Sequence, residues 1–325
     1  MPPAHDTIQQ VLREDLESAR ALLRTALERQ PREPALLRLQ AESEARSGRY
    51  AAAWEAYRAA AAAEGVLLRP IPDSVCGVCA CEDAALCWVG TVDAAVQAWL
   101  RCDECRTARR AVAPSSQAAA TARRAELAAE EMTLERLQGA LHRADSLIER
   151  IRDEGYGLRW LDRPNGSGRA SMLVLGSGWG DLLANAEWRG FEVQGVESDS
   201  AAAAWAQASL GVVVWGCLDA VPPDPKDVIV VSSGLGETAQ AGALLDALGR
   251  RLVPDGLLVV RVPCLDHPIH RARGYDDPRW SAPAAASWFD RPGISLALLR
   301  AGFQPLRSWH HPKSPGDIYV LARKE

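Results

Sequence analysis

Met172–Leu183, MLVLGSGWGDLL, is the stretch on which the reading of this 325-residue chain turns. An apolar run, three glycines at alternate positions and a return to apolar residues describe a short buried strand, a tight turn and the start of a helix. Gly176, Gly178 and Gly180 let the backbone pass beneath a ligand with no Cβ in the way, and Ser177 and Trp179 stand between them. The spacing is G-x-G-x-G, with Asp181 where a dinucleotide-binding turn carries its third glycine, which weakens a nicotinamide-cofactor reading. The next strand ends at Glu197 in GVESD, 21 residues after Gly176, and a carboxylate there can accept hydrogen bonds from both hydroxyls of a ribose.

Working outward, short β runs alternate with helical stretches: SMLVL (171–175), FEVQGV (191–196), GVVVW (211–215), DVIVVS (227–232) and LLVVRV (257–262). That alternation predicts an α/β domain with a doubly wound, mostly parallel sheet. Two last strands, FQPLRS (303–308) and DIYVLA (317–322), are joined by so short a link that they must run antiparallel, completing seven strands.

The segments LVLGSGWGDLL, GFEVQGVESDSAA, WGCLDAV, DVIVVSSGLGE, LLDALGRRLVPDGLLVVRVP and LALLRAGF together resemble the class I S-adenosylmethionine-dependent methyltransferases across 156–325. The resemblance implies that the glycine turn from Gly176 to Gly180, with Ser177 and Trp179, cradles the methionine moiety. It implies that Glu197, with Ser198 beside it, takes the ribose, and that Cys217 and Leu218, near Asp219, frame the adenine. Ser232–Leu235 would face the sulfonium, and Trp179 and Trp215 would stack near the adenine or simply pack. The chain departs from the family at three places. Val174 stands where an acidic residue is common, Gly236-Glu237 replaces Glu-His, and Ala285 replaces a further histidine. Glu237, His267 and His270 remain as candidate bases, with Glu237 and His267 preferred. The acceptor expected is a small molecule, metabolite or sugar-like. The competing expectation is a catalytically silent scaffold whose helical and cysteine modules make the functional contacts.

Upstream, the chain divides into 1–68, 69–112 and 113–155. The first part reads as helical throughout, and PALLRLQAESEARSGRYAAAWEAYRAAAAAEG (34–65) resembles one tetratricopeptide repeat, with Gly48 at its turn and Tyr50, Ala53, Tyr57 and Ala60 beyond. Its helices are a surface for a protein partner or a hairpin that merely packs. In 69–112, Cys76-x2-Cys79 and Cys102-x2-Cys105 predict two knuckles gripping one structural Zn2+ in a ribbon-like module, with Cys81 and Cys87 as spare thiols. From Gln117 to Arg152 a polar helix carries Leu127, Leu134, Leu141 and Ile148 at heptad spacing, with Leu137, Ala144 and Ile151 between. Residues 120–152 therefore predict either a homodimer seam or a connector lying on the catalytic domain.

The formal charge of −5 gives no general field for nucleic acid or an anionic membrane. Of the basic residues only Lys226, Lys313 and Lys324 are lysine, a bias expected of a GC-rich bacterial genome. MPPAHDTIQQ lacks the features of an export signal, which with the cysteine cluster points to the cytoplasm, and no apolar run predicts a membrane span.

Overall fold

A computed structural model describes residues 4–68, 70–71, 75–92, 95–129, 134–155, 169–311 and 314–325. Pro72 and most of the turn-rich linker at 162–169 lie outside the described residues.

Four helices open the chain: α1 Ala4–Glu14, α2 Leu16–Arg29, α3 Pro34–Arg46 and α4 Tyr50–Ala63. Asp15 starts α2 by accepting from the Glu17 and Ser18 amides at 3.0 and 3.2 Å, and Pro34 starts α3 with a φ suited to a first helical turn. Gly48, at φ +73°, reverses the chain between α3 and α4. Ala41 and Ala45 on α3 meet Ala53, Tyr57 and other buried residues of α4, and this seam packs on Val89, Ala98 and Leu100 of a small sheet.

That sheet is antiparallel, in the order β1-β2-β3-β9, from β1 Ala84–Val92, β2 Ala95–Cys102, β3 Ala108–Arg110 and β9 Ser287–Trp288. Its fourth strand thus comes from far down the chain: Ala108 pairs with Trp288 and Arg109 with Ser287. Trp88, Trp99 and Trp288 are buried there around Ala108, and Trp280 stacks on Trp288 with ring centroids 4.8 Å apart.

Two helices follow, α5 Ser116–Ala129 and α6 Leu134–Gly155, where the heptad spacing predicts one; residues 130–133 lie outside the description, as do the Leu134, Leu137 and Leu141 side chains. On α6, Ala144, Ile148 and Ile151 are buried in the same cluster as Met172, Val174 and Leu183. This half of the heptad seam lies on the chain's own large sheet, as a connector would.

The large sheet has the order β10-β11-β8-β7-β4-β5-β6. Its elements are β4 Ser171–Leu175, α7 Asp181–Trp188, β5 Glu192–Val196, α8 Ser200–Leu210, β6 Val213–Trp215, β7 Lys226–Val231, α9 Ala241–Arg250, β8 Leu252–Pro263, α10 Pro268–Arg273, α11 Arg291–Arg300, β10 Phe303–His311 and β11 Ser314–Lys324. β4 to β8 run parallel, and β11 lies antiparallel between β8 and β10, giving the seven-stranded α/β architecture the sequence predicts. Period-two alternation divides the central strands between two cores. Leu173, Leu175, Ile229 and Val231 face α9 and α11, while Met172, Val174, Val228 and Val230 face α6, α7 and α8. Chain order reverses between β4 and β7, so the carboxyl ends of those strands frame the crevice where open α/β sheets bind ligands.

Candidate active site

The crevice begins at the turn after β4. Gly176, Gly178 and Gly180 all adopt positive φ, at +67°, +55° and +82°. A Cβ on Gly176 would lie 1.9 Å from Ser233 Oγ, so only glycine lets the ends of β4 and β7 approach this closely. Gly180 then leads directly into α7, whose first residues, Asp181 and Leu182, line the same opening.

Glu197 stands at the end of β5, buried. Its Oε2 accepts from the Gly178 amide at 2.8 Å and from Arg123 Nη2 at 2.9 Å. Its Oε1 accepts from the Asp199 amide at 3.0 Å and the Ser198 hydroxyl at 3.5 Å. Burial works to raise this carboxyl, but the Arg123 guanidinium and the two amides outweigh it and hold it below the usual carboxylate range. Asp199 caps α8 from the adjacent position, accepting from the Ala201 and Ala202 amides.

Two adjoining hollows share Gly176 and Arg123. One, of about 150 Å³, is lined by the glycine turn, Ser232, Arg261, Trp309 and Tyr319; the other, of about 340 Å³, by Glu197, Ser198, Ser233, Gly234, Glu237 and the α5 residues Ala119, Ala120 and Glu126. Among the described residues, Ser177 Oγ, which lies over Gly195 of β5, and Trp179 Nε1 are buried without a hydrogen-bond partner. Unmatched polar atoms beside a glycine cradle and a buried carboxylate form a donor and acceptor set suited to a nucleoside carrying a polar tail.

Glu237 is the candidate base that the structure brings to the cleft. Burial raises its carboxyl above the ordinary glutamate value, against the Gly234 amide, which donates to it at 2.5 Å. Its loop is gripped from two sides. The Ala286 and Ser287 amides both donate to Gly236 O, and Ser287 Oγ donates to Thr238 O. Gly77 of the cysteine module packs so closely on Ala239 that a Cβ on Gly77 would lie 1.7 Å from the Ala239 carbonyl oxygen, and Gly77 O accepts from the Gly242 amide in the first turn of α9.

Other expected residues sit elsewhere. His267 caps α10 by accepting from the Ile269 amide and packs edge-on to His310, with centroids 4.8 Å apart; it lines neither hollow. His270 is buried, with Nδ1 2.5 Å from Asp277 Oδ2. Cys217 is exposed and Leu218 opens a short 3-10 turn, and neither lines the hollows. Trp215 Nε1 is buried without a partner, and its carbonyl accepts from the Glu197 amide. Val174 is wholly buried in the apolar core. Arg123 was not legible as part of the site: a basic residue on a polar helix carries no sign of which distant carboxylate it will meet.

The cysteine module forms a second centre. Cys76, Cys79, Cys102 and Cys105 hold all their Sγ atoms within 4.8 Å of one another, without disulfides. Zn–S bonds of about 2.3 Å in a tetrahedron require sulfurs about 3.8 Å apart, which this group fits. The two knuckles repeat one another. The Cys76 amide donates to Cys81 O and Ala80 to Cys76 O, just as Cys102 donates to Thr107 O and Arg106 to Cys102 O. Ala80 and Arg106 share the left-handed conformation, at φ 59° and 60°. Cys81 therefore occupies the place of Thr107 at the close of its knuckle, and Cys87, whose thiol burial pushes up to about 12, lies within β1, outside the group of four. Four thiolates leave no open position, the arrangement of a structural site.

A family model described as a methyltransferase domain matches residues 143–308. No curated protein matches the chain by sequence. Among solved structures, it is similar to a Thermotoga maritima S-adenosylmethionine-dependent methyltransferase described as a possible histamine N-methyltransferase, at 16% identity and TM-score 0.40, over 48% of this chain and 83% of that one. It is similar to Burkholderia thailandensis 1,6-didemethyltoxoflavin-N1-methyltransferase at 19% identity and TM-score 0.46, over 73% and 98% respectively. A third match is the pyocyanin biosynthetic protein PhzM, at 18% identity and TM-score 0.41; the match takes in 51% of this chain and only about half (53%) of that protein's length. Among the described residues, no helix is long and apolar enough to cross a membrane.

Proposed function

Because the chain belongs to the methyltransferase-domain family, we propose that it binds S-adenosylmethionine in the crevice at the carboxyl ends of β4, β5 and β7 and transfers its methyl group to a small-molecule acceptor. The observation that carries this reading is the buried Glu197 carboxylate facing three positive-φ glycines at the reversal point of the sheet. Glu197 and Ser198 would hold the ribose, and the turn from Gly176 to Gly180 the methionine moiety, with Ser177 Oγ and Trp179 Nε1 as unmatched polar groups beside it. When bound, the cofactor supplies a methyl group on a sulfonium, open to in-line attack by a nucleophile.

The chain's own residues then act on the acceptor. Ser232, Ser233 and Gly234 at the end of β7 shape the floor of the cleft. Glu237, held by its loop contacts, takes the proton that a hydroxyl or amine loses on methylation, and burial, by raising its carboxyl, makes it a stronger base than an ordinary glutamate. Positioning and exclusion of water supply the rest of the acceleration. The four-thiol centre, read as Zn2+, holds the first turn of α9 and the end of the loop before it through Gly77 and so acts on the site by geometry, not chemistry.

Calorimetric titration with S-adenosylmethionine tests the reading. Binding in the micromolar range is expected, weakened about 100-fold or more by Glu197→Ala, since 1.4 kcal/mol is tenfold and the buried acceptor supplies several hydrogen bonds. Absence of binding to the folded protein would leave the second reading, a silent scaffold, which the buried Val174 favours.

A further inference from the structure

We propose that α5 is a displaceable lid on the cofactor cleft, with Arg123 occupying the place on Glu197 that the cofactor's ribose must take. The inference rests on the cofactor reading above and deepens it.

An ionised carboxylate offers about four acceptor positions. On Glu197 all four are taken: Oε2 by the Gly178 amide and Arg123, Oε1 by the Asp199 amide and the Ser198 hydroxyl. The two amides belong to the turn after β4 and the cap of α8, and neither can leave without dismantling those elements. Ser198 is exposed and its contact, at 3.5 Å, is the longest of the set. Arg123 is the one strong donor that arrives from a separate helix. A ribose donating two hydrogen bonds to this carboxylate therefore meets a guanidinium already in place.

The packing points the same way. Arg123 Nη2 and Leu127 Cδ2 each lie 3.6 Å from where a Cβ on Gly178 would be, so both side chains rest on the glycine turn itself. Arg123 also lines both hollows and divides the crevice between them. A ligand that spans the cradle and the carboxylate has to move it.

The lid is lightly fastened. Among the described residues of α5, Leu127 is the one that is buried, and the exposed Arg124 adds a pair with Asp199 at 3.3 Å. Once released, Arg123 keeps a partner on its own helix, since Glu126 already lies 3.4 Å away. The measured cofactor affinity is then the intrinsic affinity reduced by the fraction of molecules in which α5 has lifted.

The test is calorimetric titration of the full chain with S-adenosylhomocysteine, comparing wild type, Arg123→Ala, and Arg123→Ala with Glu197→Gln. Removing the competitor is expected to tighten binding about tenfold or more, and that gain is expected to vanish when Glu197 is also changed. Trypsin supplies a second measurement on the wild-type protein, needing no variant that might misfold: saturating S-adenosylhomocysteine should speed cleavage after Arg124. If Arg123→Ala binds equally or more weakly, or if the ligand protects Arg124, the lid is overturned while the cofactor reading stands. If neither folded protein binds S-adenosylhomocysteine, both are overturned.

Discussion

The two sheets of this molecule are stabilised by different means. The seven-stranded sheet is covered on both faces by its own helices, and its central strand β7 is buried along its whole length. The four-stranded sheet has a cluster of tryptophans on it, four thiols at one end and a borrowed strand at its edge. A sheet that small cannot bury enough surface alone, so it depends on a metal-ready centre and on its neighbour. Dependence runs both ways, because the loop carrying Glu237 is tied to β9, and the first turn of α9 after it to Gly77 of the first knuckle.

Metal removal is where the two regions should part most widely. Structural zinc contributes an apparent ten or more kcal/mol to small domains, on the order of their whole stability. Stripping it with a chelator, or Cys105→Ser, is expected to abolish the near-ultraviolet dichroism of the Trp88–Trp99–Trp280–Trp288 cluster and leave the large sheet's helical signal. Metal analysis giving well under one zinc per chain would break the comparison at its base. In activity, the largest effect should come from Glu237→Gln. Loss of a general base typically costs about 10²- to 10⁴-fold, here with S-adenosylmethionine affinity unchanged.

The pH dependence sharpens this further. Because burial raises Glu237, it is protonated, and methyl transfer falls, at a higher pH than an ordinary glutamate at 4.5 would dictate; the limb should vanish in the Gln variant. Glu197 behaves oppositely. Its depressed carboxyl contributes stability that is complete above the unfolded value and is lost only as pH falls through the lower folded one.

Smaller effects test the seam between the regions. Trp288→Ala should cost about 3–5 kcal/mol, the range for emptying a buried tryptophan site, and should lower the urea midpoints of both sheets together. Destabilisation of the small sheet alone would show that β9 is not a shared support. Asp290 is buried, accepts from Arg101 and Arg106 of the cysteine module and caps α11 through the Gly293 amide. Asp290→Asn retains the cap and loses the ion pairs, so about 1 kcal/mol is expected.

What was legible in the sequence follows the same division. In the large domain the signals are local: period-two apolar strands, glycines that must adopt positive φ, and a carboxylate at a strand end. They located all seven strands to within about five residues, and of the residues they singled out Gly176, Gly178, Glu197, Ser232 and Glu237 line the two adjoining hollows of the crevice. In the small sheet the cysteine spacing announced the four-thiol centre. The strands themselves, with half-buried and exposed residues mixed along them and no clean alternation, did not stand out. Contacts between distant segments left no local trace: Arg123 on Glu197, Ser287 beside Arg109, Gly242 on Gly77. His267 could be picked out as a histidine after β8, but whether it would face the cleft or cap a helix depended on the path of a turn that composition does not specify.

The borrowed strand has a consequence for how the protein is made. Arg109 leaves the ribosome nearly 180 residues before Ser287, its partner across the β3–β9 ladder. At about 5–20 residues per second, the unfinished sheet waits roughly 10–35 s with one edge open. Through that interval four cysteines and a row of unpaired backbone groups stand in contact with the cell's solutes, so capture of a metal ion during translation would guard the nascent chain against mispairing with its neighbours.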